Sequence, residues 1–439
     1  MRILYLMLYR FVKFSVAVFY KRIEVVNKPK SRFNRTIYMS NHAASFMDPL
    51  VVALYNKAIV FFMTRSDVFT PVAKPFLWAM HMLPIYRQQD GVDTKEKNAE
   101  VFQKCTEALE RKQNLLIFAE GFTDDVFIRR LKPIKKGAVR IGFTALEATN
   151  WKENVYIAAV GCNYTSPNAM RSEILISNSE PICLNDYRQE YEENSYKVIA
   201  ELTLKAEALM KAQITHVEVE EFAVFHEQMM CISGKGMNNQ SYEKSLSLEQ
   251  RWNYSRKLAG WLNEFGKELP STISEFKLSL ASYFELLKSK NLLDVDLKAL
   301  KENSYSKANF MLMALLLFPF ALIGAIHCYL PYRFIKNLVE KKFKRDVFWG
   351  STKMILGMFA FGLLNLPIVI IATNMLDLPF WVGIIYFFSI RMFWLAFVSF
   401  KLKWNEFVRM NKLLKMNVDE LIQQRLKLEN QMKEIVPNL

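Results

Sequence analysis

The sequence predicts a mixed α/β domain, in which helices flank a sheet, with an interfacial helix before it and a helical membrane module after it. Between residues 22 and 230, short runs rich in β-branched residues alternate with helical segments, which is the pattern of an α/β domain. From residue 308 onward the chain holds three apolar stretches, each meeting the roughly 20 residues that a membrane-spanning helix needs.

The composition agrees with a chain of several parts. Of its 439 residues, 51% are hydrophobic, which is enough for a soluble core and a second, apolar module. The net charge of +15 favours an anionic partner: a phosphate-bearing small molecule, a nucleic acid or an anionic membrane surface. The five cysteines are scattered singly, which argues against a disulfide framework or a structural zinc site and favours a reducing compartment.

The first 21 residues are apolar but are interrupted by Arg10 and Lys13, so they lack the continuous core of a signal peptide. Basic side chains that reach headgroups, while leucines and aromatics face inward, are typical of a helix lying in a membrane interface. The alternative is a helix packed on the soluble domain. We expect residues 1–21 to be the interfacial membrane helix.

Six strands are expected within the α/β domain, which we place at residues 22–230. Their sequences are RIEVV, TIYMS, AIVFF, NLLIF, VYIAAV and SEILIS. After this domain the chain changes to charged, leucine-spaced stretches on either side of ELPST. This pattern predicts a helical linker over residues 231–307.

The membrane module is expected at residues 308–403. Basic residues follow its first and third apolar stretches, and the positive-inside rule places both of these flanks on the cytoplasmic side. The second and third stretches would then form a spanning hairpin. Pro319 divides the first stretch, which predicts a re-entrant or interfacial pair of short helices there.

The last segment, residues 404–439, predicts a C-terminal helix. Apolar residues from Leu414 to Ile435 follow an alternating four-three spacing, with Arg425 interrupting them. This spacing is compatible with a coiled-coil homodimer. About three heptads are marginal for a coiled coil, so packing of this helix on its own chain is the favoured alternative.

The stretch YMSNHAASFMDPLVV, residues 38–52, combines a histidine and a carboxylate at the end of a predicted strand. A helix with Asp48 at its N-cap and Pro49 in its first turn accounts for both of those residues. It gives no reason for Asn41 and His42 at the strand end. A histidine oriented by a carboxylate can take a proton from an alcohol. A nucleophile at Ser45 is disfavoured, because no GxSxG context is present.

This stretch resembles the HX4D motif of the phospholipid/glycerol acyltransferase (PlsC-like) family. Later blocks of the chain resemble further blocks of that family in the same order, namely MLPIYRQ, LLIFAEG, LKPIKKGAVRIG, IAAVGCNY and MRSEILISNSEPI. The resemblance covers roughly residues 20–230 and identifies the predicted domain as an α/β acyltransferase domain. It implies membrane-bound transfer of an acyl chain, in phospholipid biosynthesis, from acyl-CoA or acyl-carrier protein to a glycerol-phosphate or lysophospholipid hydroxyl.

Two departures from the family pattern bear on specificity. Five residues, not four, separate His42 from Asp48. This spacing is similar to that of a subgroup of glycerol-3-phosphate and dihydroxyacetone-phosphate acyltransferases with membrane-embedded C-termini. In addition, FTDD follows FAEG, so the arginine of the family's EGTRS form is missing.

The resemblance also implies roles for single residues. His42 would be the general base and Asp48 the group that orients it, without a covalent acyl-enzyme. Arg87 would bind the phosphate of the acceptor, and Glu120 with Gly121 would shape the acceptor pocket.

The charge missing from FTDD has several candidate replacements. Lys135 is the first of them, and Lys132, Lys136 and Arg140 are weaker candidates, with solvated lysines as the alternative. No cofactor and no metal ion are implied. The expected partners are the acyl donor, the acceptor and membrane lipids, with the catalytic domain on the cytoplasmic face.

Two other classes of function fit the sequence less well. A non-enzymatic, membrane-anchored lipid-binding protein would not need the His42 and Asp48 pair. Nucleic-acid binding, suggested by the charge alone, lacks any helix-turn-helix, finger or RNA-binding signature.

Overall fold

The computed structural model describes residues 2–28, 35–56, 60–86, 94–302 and 304–436. The chain divides into two compact units, Met1–Glu218 and Val219–Leu439. This division precedes the domain boundary expected at residue 230, because helix Ala223–Ser233 packs against other helices of the second unit.

The first unit alternates strands and helices. In chain order its elements are α1 (Arg2–Phe19), β1 (Arg22–Val26), β2 (Thr36–Ser40), α2 (Met47–Tyr55), β3 (Val60–Arg65), α3 (Lys74–Ala79), β4 (Met82–Ile85), α4 (Thr94–Glu110), β5 (Asn114–Ile117), α5 (Gly137–Ala148), β6 (Tyr156–Tyr164), β7 (Glu173–Asn178), β8 (Ile182–Cys183) and α6 (Arg188–Ala212). Helix α6 is kinked at Asn194, whose side chain accepts a hydrogen bond from the Lys197 amide.

The strands form a mixed sheet in the order β1-β7-β6-β2-β5-β3-β4, with β8 also paired to β6. Strand β6 is antiparallel to β7 and β8, and the other neighbours are parallel. Helices α4, α5 and α6 pack on the sheet around buried residues such as Ile37, Leu115 and Phe143. This architecture confirms the predicted fold class.

Strand β2 occupies the centre of the sheet. All five of its residues are buried, and it lies between β5 and β6, parallel to both. The carboxyl ends of parallel strands meet at one edge of a sheet, where open α/β sheets place their ligands. The sequence that follows β2, which begins with Asn41 and His42, therefore lies at that edge.

Helix α1 has two apolar faces. Val12, Val16 and Phe19 are buried, whereas Leu6 is half exposed and Met7 is 66% exposed. The helix therefore packs on its own unit and still presents apolar side chains outward. The interfacial position expected for it stays a prediction.

The second unit is helical throughout its described residues. Its helices are α7 (Ala223–Ser233), α8 (Leu248–Asn263), α9 (Ser271–Ser289), α10 (Asp294–Lys301), α11 (Lys307–Lys342), α12 (Trp349–Met375), α13 (Phe380–Leu413) and α14 (Asp419–Ile435). The region expected to be a linker has buried residues of its own, among them Trp252, Leu258, Phe276 and Tyr283.

The C-terminal helix α14 packs on its own chain, against α7 and α9. Leu421, Leu428 and Met432 are buried there. Arg425, which interrupts their spacing, is buried and donates two hydrogen bonds to Asp294, at 2.9 and 3.2 Å. The arginine thus interrupts the apolar face because it forms an ion pair inside this unit.

The prediction that Pro319 divides the first apolar stretch is wrong. Helix α11 runs without a break over 36 residues, with Pro319 and Pro331 inside it. A proline in a helix interior costs about 3 kcal/mol, but α11 packs closely along α13. A Cβ atom at Gly324 would lie 2.1 Å from the Phe393 carbonyl oxygen, so the glycine permits direct backbone contact between the two helices.

Three helical segments among the described residues are long and apolar enough to cross a membrane: Lys307–Lys342, Asp346–Met375 and Phe380–Leu413. Most of their apolar side chains are exposed, including Leu315, Leu363 and Phe388. Such a surface is compatible with lipid and not with water. The C-terminal helical region is therefore membrane-associated.

Candidate active site

Asn41 fixes the backbone immediately after β2. Its side-chain amide donates to the Cys162 carbonyl at 3.2 Å, and its side-chain oxygen accepts from the Cys162 amide at 2.8 Å. These two bonds replace the backbone pairing to β6, which ends at Ser40 and Val160. Asn41 therefore allows the chain to leave the sheet while its position stays fixed.

His42 and Asp48 are in contact, as the sequence predicted. The imidazole Nδ1 lies 3.1 Å from Asp48 Oδ2, and the Asp48 side chain is fully buried. The same Oδ2 accepts a hydrogen bond from the Ala44 amide at 2.8 Å. Ser45, with a φ of 51°, reverses the chain between the two residues, so that the five-residue spacing still brings them together.

The predicted helix cap at Asp48 is wrong. Helix α2 begins at Met47, its N-cap is Phe46, and no side chain caps it. Asp48 lies in the first turn, where its carboxylate turns back toward the Ala44 amide and the His42 ring. Its main contacts are thus to the loop that carries the histidine.

The His42 ring presents one nitrogen to the surroundings. The ring stacks on Phe118 with 4.2 Å between centroids, and its side chain is 23% exposed. Nδ1 faces the carboxylate, so the proton there leaves a lone pair on Nε2. Among the described residues none hydrogen bonds to Nε2, which is therefore open to a ligand.

Glu120 connects the histidine loop to the segment after β5. One of its carboxylate oxygens accepts from the His42 amide at 2.8 Å, and the other accepts from the Lys132 amide at 3.1 Å. The side chain is buried, and burial raises the pKa of its carboxyl group, although the two amides and nearby positive charge oppose the shift. Both oxygens bind backbone, so Glu120 positions the loop that holds His42.

Gly121 brings Lys135 close to this turn. Its φ of 82° is one that glycine adopts without strain. A Cβ atom here would lie 2.9 Å from Lys135 Nζ, and the Lys135 amide donates to the Ala119 carbonyl at 3.0 Å. The ammonium group of Lys135 therefore lies against the Glu120–Gly121 backbone.

The acidic segment FTDD binds neighbouring cations. Asp124 accepts two hydrogen bonds from Arg130, at 2.7 and 3.1 Å, and forms an ion pair with Lys132 at 2.8 Å. Burial alone would raise the pKa of Asp124, but these two cations lower it. Lys132 therefore shares this carboxylate with Arg130. Lys136 and Arg140 are exposed at the start of α5, and Arg87 lies outside the described residues.

A shallow cleft, with a cavity volume of about 10 Å³, lies beside the pair and was not expected from the sequence. Asn41 and Ala43, the neighbours of His42, line it, together with Arg129, Tyr164 and Thr215. Tyr164 closes the block IAAVGCNY, whose resemblance to the family was the one sequence signal that pointed to it.

The described residues hold no group of three or more His, Cys, Asp or Glu side chains able to bind a metal ion. The chemistry available at this edge of the sheet is thus that of an oriented imidazole, whose loop is bound by Glu120, and of the Lys135 ammonium group beside Gly121.

Comparisons with known proteins find a similarity within the α/β domain. The family model described as Acyltransferase matches residues 22–163. A solved structure, the 1-acyl-sn-glycerophosphate (LPA) acyltransferase PlsC from Thermotoga maritima, is 17% identical with a TM-score of 0.33, over 47% of this chain and 79% of that chain. No curated protein sequence matches significantly. Residues 22–163 are therefore similar to the acyltransferase family, and they lie within the region whose motifs resemble the PlsC-like phospholipid acyltransferases.

Proposed function

We propose that the chain is a membrane-bound O-acyltransferase of phospholipid biosynthesis. It transfers an acyl chain from acyl-CoA or acyl-carrier protein to the hydroxyl group of glycerol-3-phosphate or 1-acylglycerol-3-phosphate. The observation that carries the proposal is the His42 and Asp48 pair, in which a buried carboxylate orients the imidazole and leaves Nε2 open.

The reaction follows from this geometry. His42 Nε2 takes the proton of the acceptor hydroxyl while the oxygen attacks the thioester carbonyl, and Asp48 stabilises the imidazolium that forms. The new C–O ester bond forms, the C–S bond breaks, and the thiolate leaves with the proton that His42 returns. No acyl-enzyme is needed, because the acceptor oxygen is itself the nucleophile.

The acceptor's phosphate is assigned to the positive charge beside Gly121. Lys135 is exposed and lies against that turn, whereas Lys132 is paired with Asp124. We assign the phosphate first to Lys135, with Arg87 as a second contact expected from its motif. Glu120 and Gly121 act by fixing the backbone between this charge and the histidine.

The membrane is the expected source of a lysophospholipid acceptor. The second unit contributes its apolar helices, and the first unit exposes apolar side chains on two elements that meet where Tyr5 stacks on His81. These exposed side chains are Leu6, Met7 and Phe11 on α1, and Val72, Phe76 and Trp78 in and beside α3. We place the catalytic domain on the cytoplasmic face, where acyl donors are made.

The direct test uses purified protein in detergent with labelled acyl-CoA or acyl-carrier protein and a panel of acceptors. We expect a labelled ester with glycerol-3-phosphate or 1-acylglycerol-3-phosphate, and none from His42→Ala protein. Binding of these lipids without ester formation by the wild-type protein would instead make the chain a membrane-anchored lipid-binding protein.

The phosphate assignment has its own test. Lys135→Ala should raise the KM for phosphate-bearing acceptors roughly fivefold, since exposed charge contacts contribute up to about 1 kcal/mol. The KM for an acceptor without phosphate, such as monoacylglycerol, should not change. Lys152→Ala, which removes an exposed lysine after α5, is the matched control. Equal KM values for the Lys135→Ala and Lys152→Ala proteins would contradict the assignment.

A further inference from the structure

A buried tyrosine completes the surroundings of Asp48. Tyr164, the last residue of β6, is fully buried, and its hydroxyl donates to Asp48 Oδ1 at 2.7 Å. The other oxygen, Oδ2, accepts from the Ala44 amide and faces His42. Each carboxylate oxygen thus has its own donor, and the carboxylate is held from two sides.

Tyr164 is itself held in place. Its backbone pairs with Ile174 of β7, and its carbonyl accepts a hydrogen bond from Arg129 Nη1 at 2.7 Å. Its ring packs edge-on against Phe127. A rigid strand therefore presents the hydroxyl to Asp48, as a positioning contact requires.

Other titratable groups face the pair from neighbouring elements. They are Tyr20 after α1, Cys162 of β6 and Glu120 after β5. Burial raises the pKa of Tyr20, Cys162 and Tyr164, and the negative charge of Asp48 raises each further. All three therefore stay protonated and neutral near pH 7. Among the described side chains, only His42 and Tyr164 hydrogen bond to Asp48.

We propose that Tyr164 is a positioning residue. Its hydroxyl keeps Asp48 in contact with His42 and weakens the attraction between the carboxylate and the imidazole proton. The role in acyl transfer rests on the proposed function. Donation to Oδ1 spreads the carboxylate charge, and its loss would leave a buried oxygen without a donor. The pair would then hold its proton more strongly and release it to the leaving thiolate more slowly.

The experiment compares Tyr164→Phe with Tyr20→Phe in the full-length protein. Tyr20 is a matched control: its ring lies 6.0 Å from the Tyr164 ring, and its buried hydroxyl has no hydrogen-bond partner among the described residues. For Tyr164→Phe we expect an approximately tenfold fall in kcat at pH 7 and an unchanged KM. The acidic limb of the plot of kcat against pH should shift upward by about one pH unit. Tyr20→Phe should leave all three unchanged.

A second readout does not depend on activity. The chain has five histidines, so His42 can be followed by NMR after ¹³C labelling of histidine, with His42→Ala for assignment. In Tyr164→Phe protein the His42 resonance should titrate at higher pH than in the wild type. A folded Tyr164→Phe protein with the wild-type titration would overturn the inference. If the wild type transfers no acyl group but the titration still moves, only the proposed function fails.

A further variant covers the case in which Tyr164→Phe does not fold. Replacing Tyr164 by 3-fluorotyrosine keeps the ring and makes the hydroxyl a stronger donor. The His42 titration should then move to lower pH, the opposite direction. No movement would again overturn the inference.

A second inference, from different contacts, concerns the membrane module. Arg409 near the end of α13 donates to both oxygens of Asp296 in α10, at 2.7 and 3.1 Å, and Arg425 of α14 pairs with Asp294. These contacts join residues before the first apolar helix to residues after the last one. The apolar core of a bilayer is about 30 Å thick, so residues in contact share one side. The chain between them crosses an even number of times.

The direction of packing identifies the crossings. Phe310 stacks on Phe407 with 4.2 Å between centroids, and Gly324 lies against the Phe393 backbone. As residue numbers rise along α11, the residues that they contact on α13 have falling numbers, so the two helices are antiparallel. In three successive crossings the first and third helices would be parallel.

The geometry points to α11 and α13 as the two crossings, while α12 enters and leaves the membrane on the side opposite to α10 and α14. This replaces the hairpin of residues 354–400 expected from the positive-inside rule. The inference departs from that rule, since it puts the basic residues after α11 on the face opposite to the basic residues after α13. Pro367 inside α12 is compatible with a helix that bends within one leaflet.

Single cysteines in a background without the native ones test this inference. Cysteines at Lys301 and Asn417 should react with an impermeant thiol reagent from one face, and cysteines at Lys344 and Asp377 should react from the other. Reaction at Lys344 and Asp377 from different faces would make α12 a crossing helix and overturn the inference. Reaction of all four from one face would overturn the crossing of α11 and α13.

Discussion

Two histidine clusters, one in each unit, use similar residues in different ways. In the α/β unit, His42 contacts Asp48, which also accepts from Tyr164. In the membrane module, His327 Nδ1 lies 2.7 Å from the Asn365 side-chain oxygen, and its Nε2 lies 2.9 Å from the Tyr386 hydroxyl. A carboxylate in the first cluster is thus replaced by a neutral amide in the second.

The difference separates a reactive histidine from a structural one. His42 has a charged partner and an open Nε2, so it can accept a proton and keep it stabilised. Both nitrogens of His327 are engaged, and its partners come from α12 and α13. The second cluster therefore links α11 to its two neighbours, as polar side chains do between helices in lipid.

The largest expected effect is on turnover, and its absence would contradict the comparison of the two histidines. His42→Ala removes the general base and should lower kcat at least on the order of a hundredfold, with folding unchanged. His327→Ala should leave turnover near the wild-type value and weaken the membrane module. Acyl-transfer assays, with circular dichroism as the folding control, distinguish the two. Equal loss of turnover in both variants would contradict the assignment of different roles.

Asp48→Asn converts the first cluster into one with the composition of the second. Because the amide carries no charge, the imidazolium loses its stabilisation and most activity should be lost. The single amide oxygen cannot accept from Ala44, His42 and Tyr164 as two carboxylate oxygens do. We therefore also expect a fall in stability of about 1–3 kcal/mol. Unfolding by denaturant measures it, and an Asp48→Asn protein as stable as the wild type would mean that Asp48 acts by its charge alone.

The reverse exchange, Asn365→Asp, brings a carboxylate into the membrane module. Asn365 is 1% exposed, and an acidic side chain at such a depth costs about 2.5–3.5 kcal/mol. Asn365→Leu, which only removes the polar contact, should cost less, about 0.6–2 kcal/mol. Detergent unfolding of the two variants should give this order. An Asn365→Asp protein more stable than the wild type would indicate that His327 is charged and paired.

The sequence predicted the sheet better than the membrane module, for physical reasons that particular residues illustrate. Each of the six predicted runs contains described residues of a strand that pairs with a neighbour in the sheet, and β2, β5 and β7 are buried along their whole length. Strand β4 was not among them, since Pro84 weakens its strand signal. The structure places β4 at the edge, where β3 is its one partner among the described strands and a proline is tolerated.

Local rules failed where distant residues decide the outcome. Pro319 does not end α11, because α13 packs along it. The types of residue that cap helices are also those that orient histidines, so the sequence did not distinguish the two roles for Asp48. Tyr164 reaches Asp48 across 116 positions, and this contact depends on the pairing of β2 with β6. No spacing in the sequence encodes it.

The smallest expected effect concerns a third histidine, His216, and the pH dependence of the stability that it contributes. Its Nδ1 accepts a hydrogen bond from the Leu131 amide at 3.0 Å, which requires the neutral ring. Burial, followed by the charge of Lys211, lowers its pKa from 6.5 to about 4, although the nearby carboxylates of Glu218 and Glu207 oppose the shift. The unfolded state therefore binds more protons between these two values, so the stabilising contribution is complete above pH 6.5 and is lost as the pH falls toward 4.

The slope of this loss is at most about 1.4 kcal/mol per pH unit. Hydrogen exchange at the Leu131 amide, corrected for its intrinsic pH dependence, should show protection falling between pH 6.5 and 4. His216→Gln keeps an acceptor that does not titrate, so the protection of Leu131 in that variant should depend much less on pH. The same fall in the His216→Gln protein would assign the effect to another group. In that case the Leu131 hydrogen bond would survive without an imidazole, and protonation of His216 would not control the stability of its segment.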